Sequence, residues 1–161
     1  MSTGREIKRI TTHVIQEMKE RGEKVSMLTA YDYPLASLID KAGIDMILVG
    51  DSVANVVLGL DSTTKVGMTE MIHHAKAVTR AVKHALVIGD MPYESYQVNP
   101  QESVKNAKRF IDEAKCDAVK LEWFDKCLEV TEQIIKAGIP AMGHIGLTPQ
   151  TADKLGGFKV Q

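Results

Sequence analysis

The chain has 161 residues, of which 44% are hydrophobic and 25% charged, and its formal net charge is -1. That length supports one domain with a sizeable core, and the charge balance carries neither a basic stripe nor a like-charge run of the kind that binds nucleic acid. No apolar run nears the ~18 residues of a membrane span, and the polar start is no secretory signal, so a cytoplasmic location without nucleic-acid or membrane partners is expected.

Ile7, Ile10, Val14, Ile15 and Met18 recur at helical spacing and predict a first helix over 6–20. After a charged turn, VSMLTAYD predicts a strand over 25–32, and Pro34 starts a helix over 34–42 that stops at Gly43. DMILVGDS (45–52) is the next strand, its unbroken apolar centre fitting a parallel strand buried on both faces. Residues 53–68 are expected to form a loop, after which Thr69 caps a helix running to about Lys83 with Glu70 in its first turn. ALVIGDMP (85–92) is a third strand, 100–114 a helix following Asn99, AVKLEW (118–123) a fourth strand, and 125–137 a helix stopping at Gly138. AMGHIGLTP (141–149) holds a fifth strand and its loop. The two cysteines, Cys116 and Cys127, form no CxxC pair and are expected as free thiols.

This is a repeated βα unit, and KAGIDMILVGD and KAGIPAMGHIG share a helix-to-strand junction. Such repeats force parallel strands with right-handed crossovers. Two architectures fit, a closed (β/α)8 TIM barrel and an open doubly wound sheet. The absence of GxGxxG after the first strand weighs against a dinucleotide fold. Asp32, Asp51, Asp90, Lys120, Glu122 and His144 all stand at or near strand C-terminal ends, which converge on one face only in a barrel. A whole barrel takes ~250 residues. The chain therefore reads as one incomplete domain, 1–161, supplying an N-terminal helix and about the first five units, with open edges at its first and fifth strands.

Asp51, Asp90 and Glu122 close the apolar runs VGD, IGD and KLE. Each alone could be a polar strand end or a helix cap. Together on one rim they repel unless neutralised, and a hard divalent cation such as magnesium takes one or two carboxylates plus substrate oxygens and water. Lys120 lies two residues before Glu122, on the same side of the strand, where it could reach an anionic substrate. His144 is equally readable as a substrate-binding group or as a core histidine paired with backbone, and Ser52 as an anion ligand or a turn residue. His73 and His74, adjacent on a helix, point about 100° apart and are read as helix-surface residues.

TAYDY (29–33), VGDS (49–52), DST (61–63), GDMPY (89–93), VKLE (119–122), GHIGLTPQ (143–150) and GGFKVQ (156–161) resemble, in this order, ketopantoate hydroxymethyltransferases. The resemblance implies a (β/α)8 barrel, dependence on Mg2+, 5,10-methylenetetrahydrofolate as one-carbon donor, 3-methyl-2-oxobutanoate as substrate, and a homo-oligomer, a decamer in many members. It also implies Asp51, Asp90 and Glu122 as metal-site carboxylates, and Asp51, Ser52, Asp90, Lys120 and His144 as substrate-binding residues. Leu60, where the family usually has histidine, and Trp123, where it often has glycine, depart from the pattern. The family's general base would lie beyond Gln161, so this chain alone is expected to be inactive. Two other readings stand beside it: a related magnesium barrel of the phosphoenolpyruvate mutase/isocitrate lyase type, and a non-catalytic barrel fragment.

Overall fold

A computed structural model describes residues 8–157 and 159. Helix α1 (Thr12–Glu20) starts where the Thr11 hydroxyl accepts from the Val14 N–H; positions 6 and 7 of the expected helix lie outside the described residues. There follow β1 (Met27–Thr29), α2 (Tyr33–Lys41), β2 (Met46–Val49), the short α3 (Val53–Val56), α4 (Met68–Ala81) and β3 (Leu86–Asp90). The remainder is α5 (Tyr93–Tyr96), α6 (Pro100–Asp112), β4 (Ala118–Glu122), α7 (Cys127–Lys136) and β5 (Ala141–His144), with 3-10 turns at Thr63–Lys65 and Pro149–Leu155. The shared junction is real: Gly43 and Gly138, after α2 and α7, both take φ of 81°, the left-handed stop that a side chain would strain.

Three local expectations are corrected. Asp32 does not serve the rim of the sheet; its carboxylate caps α2 by accepting from the Leu35 N–H at 2.9 Å. The cap of α4 is Gly67 rather than Thr69, because the Glu70 carboxylate reaches back to the Gly67 N–H at 2.9 Å and satisfies it. The expected loop 53–68 contains α3 and the first 3-10 turn.

All five strands are parallel and pair in chain order, β1-β2-β3-β4-β5. A doubly wound sheet would reverse direction at a switch point; monotonic order is the wall of a (β/α)8 barrel. One face of this wall packs on the helices. Ile47, Val49, Val87, Val119 and Leu121 meet Ile39, Met71, Val78, Phe110, Val130 and Ile134 in the main core. The other face carries the alternate residues: Leu86, Ile88 and Ala118, with Met46, Leu48 and Met142, form a second cluster. Ile10 and Ile15 pack against it, so α1 and the residue pair before it cover the N-terminal end of the inner face. Arg9 Nη2 donates to both carboxylate oxygens of Asp117, at 3.0 and 2.7 Å, and ties that segment to the residue before β4.

The aspartates divide by strand end. At the N-terminal end they are structural. Asp45 accepts from the Ser26 N–H and hydroxyl at 2.8 and 2.7 Å, joining the starts of β1 and β2. Asp117 accepts from the Val87 N–H at 2.8 Å, and Asp40 accepts from three successive N–H groups just before β3. At the C-terminal end Asp51 accepts from no backbone N–H among the described residues, and Asp90 accepts from one, that of Asp51 at 3.2 Å.

Candidate active site at the strand C-terminal ends

Strand geometry alternates side chains between faces, so Asp90 shares the inner face with Leu86 and Ile88, and Lys120 and Glu122 share it with Ala118. The register then sets them side by side, Asp90 opposite Lys120 and Glu122 opposite His144. Gly50 carries the chain out of β2 to Asp51, and a Cβ at that glycine would come 2.8 Å from the Ser52 hydroxyl. On the opposite face Gly89 lets β3 lie directly on the Phe110 ring.

The expected residues do come together. The Asp51 N–H donates to Asp90 Oδ2 at 3.2 Å, tying the ends of β2 and β3. Lys120 Nζ donates to both oxygens of Asp90, at 2.8 and 3.0 Å, and more weakly to Glu122 Oε1 at 3.4 Å. Glu122 is engaged on its other sides by His144 Nδ1, 3.1 Å from Oε1, and by the Gln150 N–H, 3.0 Å from Oε2. Lys120 thus bridges Asp90 and Glu122, and the Asp51 backbone joins Asp90 on its other side. Among the described residues, no group of three or more His, Cys, Asp or Glu side chains is arranged to hold a metal ion. Ser52 is half-buried, its hydroxyl 2.8 Å from that of Tyr31.

Three carboxylates and one ammonium are buried here: Asp51 is 4% exposed, Asp90 2%, Glu122 1% and Lys120 8%. Their burial bears on protonation. Burial pushes the Asp90 carboxyl up to about 7; Lys120 pulls against that shift and Asp51 adds to it. Burial likewise pulls the Lys120 ammonium down, but Asp90, Glu122 and Asp51 outweigh it and the net shift is upward, so the lysine stays charged. A buried cluster short of positive charge, with two carboxylates on adjacent strand ends, is the donor set a hard cation fits, since such an ion needs only one or two protein carboxylates.

Several neighbours escaped sequence reasoning. Gln150 donates from Nε2 to Asp51 Oδ2 at 2.8 Å, and the Tyr96 hydroxyl donates to its Oε1. Gln150 stands in the GLTPQ run, but nothing local marks it as reaching a residue 99 positions away. Tyr96 lies in α5 with no motif of its own. His74, read as a surface residue, is half-buried, with Nδ1 2.8 Å from the Tyr31 carbonyl; His73 is exposed as expected. Cys116 and Cys127 are free and buried, and burial pushes the Cys116 thiol up to about 12, which leaves it unreactive. No helix among the described residues is long and apolar enough to cross a membrane.

The fold and the sequence are similar to those of known proteins. A solved 2,3-dimethylmalate lyase, described as a PEP mutase/isocitrate lyase superfamily member, superposes with a TM-score of 0.61 at 15% identity, over 81% of this chain and 51% of its own. That likeness shows the fold alone. A curated 3-methyl-2-oxobutanoate hydroxymethyltransferase from Syntrophomonas wolfei is 58% identical over 95% of this chain and 55% of its own length. One of the same name from Syntrophus aciditrophicus is 51% identical over 100% and 59%. The chain thus spans a little over half the length of these relatives. The family model described as ketopantoate hydroxymethyltransferase matches residues 9–161, and the chain belongs to that family.

Proposed function

We propose that this chain carries the metal- and substrate-binding half of a 3-methyl-2-oxobutanoate hydroxymethyltransferase. The whole protein transfers a one-carbon unit from 5,10-methylenetetrahydrofolate to 3-methyl-2-oxobutanoate, giving 2-dehydropantoate for pantothenate synthesis. The observation that carries the reading is the buried Asp51–Asp90 pair beside Lys120, at the C-terminal ends of adjacent parallel strands, together with relatives of that name. Asp51 and Asp90 would hold Mg2+, with Glu122 completing the carboxylate rim. Bound there, magnesium would supply Lewis-acid polarisation of the 2-oxo acid's ketone and so ease loss of the C3 proton.

The chain's own residues have distinct tasks. Lys120, kept cationic by its carboxylate neighbours, places positive charge next to the bound anion, where exclusion of water strengthens it. The Ser52 hydroxyl, held by Tyr31, offers a hydrogen bond to a substrate oxygen. His144, oriented by Glu122, offers a second. The base that removes the C3 proton is assigned to none of residues 1–161, and the isolated chain is expected to turn over near zero. We place the whole protein in the cytoplasm as a homo-oligomer.

The test is product formation by the full-length protein that the gene encodes, with Asp51→Ala and Asp90→Ala variants assayed across magnesium concentrations. Each is expected to lose at least ~100-fold in rate. Unchanged rates in both variants would remove the metal assignment, and a wild type that makes no 2-dehydropantoate would remove the substrate assignment.

A further inference from the structure

Gln150 is 6% exposed, and every polar atom of its side chain is committed. Nε2 donates to Asp51 Oδ2 at 2.8 Å and to the Met91 carbonyl at 3.1 Å, while Oε1 accepts from the Tyr96 hydroxyl. The orientation of the amide is forced. Two acceptors surround the nitrogen, so a flipped amide would face them with an oxygen. The phenol is fixed in turn, because the Glu122 N–H donates to the Tyr96 oxygen at 3.2 Å and leaves the phenolic proton for Gln150.

One glutamine thereby links the C-terminal ends of β2, β3 and β4. It engages only one oxygen of Asp51; the other, Oδ1, has no hydrogen bond among the described residues. We propose that Gln150, locked by Tyr96, is a positioning residue that aims the Asp51 carboxylate and leaves its Oδ1 for a divalent cation, an inference that rests on the metal reading given above. Without the amide, Asp51 rotates freely and the cation meets a carboxylate that must first be ordered. Partners that orient ligands in this way typically account for ~10–100-fold in metal affinity.

The experiment is a Mn2+ titration followed by the EPR signal of the free ion, on the full-length protein that the gene encodes, with Gln150→Leu and Tyr96→Phe beside the wild type. Gln150→Leu is expected to raise the Mn2+ dissociation constant ~10-fold or more, and Tyr96→Phe to raise it by a smaller factor. At saturating Mn2+ both variants should keep KM for the 2-oxo acid within about twofold of wild type, a split that general damage to the fold would not give. If Gln150→Leu fails to fold, Tyr96→Phe, which removes one hydroxyl, decides. Unchanged Mn2+ affinity in the folded variants, beside a wild type that binds, overturns the role of Gln150 and leaves the metal reading standing. A wild type that takes up no Mn2+ overturns both.

Discussion

Asp40 offers a quantitative test of the division between structural and functional aspartates. Its Oδ1 accepts from the N–H groups of His84 and Ala85, at 3.0 and 2.8 Å, and its Oδ2 from that of Lys83 at 2.9 Å. Asp40→Asn keeps the shape and one acceptor oxygen. It turns two charge-assisted bonds into neutral ones and sets an NH2 against a third N–H. Downgrading two bonds and orphaning one donor costs about 3 kcal/mol in total. With a urea m-value of about 2 kcal/mol/M the unfolding midpoint should fall by about 1.5 M, with m unchanged. The loss should also depend on pH. Burial raises the Asp40 pKa, but the N–H groups of Ala85, Lys83 and His84 outweigh it and the net shift is downward. A carboxylate depressed in the folded state contributes stability above its unfolded pKa of about 3.9, and loses it as pH falls through the folded value. Wild type and variant should therefore differ fully from pH 7 down to about 5, and the difference should shrink progressively as pH falls through the unfolded pKa of about 3.9 towards the depressed folded one. Because the residue lies at the far end of β3 from Asp90, the rate of the full-length enzyme in native buffer should stay as it was. A variant within 0.5 kcal/mol of wild type, or a difference that stays constant down to pH 3, would refute the accounting.

Two further perturbations probe the wall and its rim. Lys120→Met strands Asp90 and Glu122 without their ammonium and should cost about 3–5 kcal/mol at pH 8, less at pH 6, where Asp90 takes up a proton; urea melts at the two pH values measure this, and an equal cost at both would contradict it. Gly89→Ala places a Cβ against the Phe110 ring, 2.8 Å from its Cε1, and should cost about 1–3 kcal/mol by overpacking. Adding Phe110→Leu should recover part of that loss in a double-mutant cycle, whereas strictly additive losses would mean that the ring is not the obstacle.

Much of this molecule could be read from its residues, for identifiable reasons. The strands announce themselves because parallel strands covered on both faces need unbroken apolar runs such as MILV and LVIG, and the repeated KAGI junctions mark where helices stop. Asp51, Asp90, Lys120, Glu122 and His144 could be placed at strand ends because strand direction and parity follow from the pattern. What failed was anything decided by a side chain's choice between two nearby partners. Asp32 has the sequence of a rim residue yet turns to the Leu35 N–H in its own chain. Gln150 and Tyr96 were invisible because their significance lies in long-range contacts that no local spacing encodes.

Under the proposed function Asp51 and Asp90 meet around one divalent cation beside the 2-oxo acid. Its most direct test is anomalous diffraction from crystals of the full-length protein grown with Mn2+ and 3-methyl-2-oxobutanoate. The expected result is a single strong peak in contact with a carboxylate oxygen of each aspartate, with the oxo acid next to Lys120. A peak elsewhere, or none at saturating Mn2+, would contradict the account.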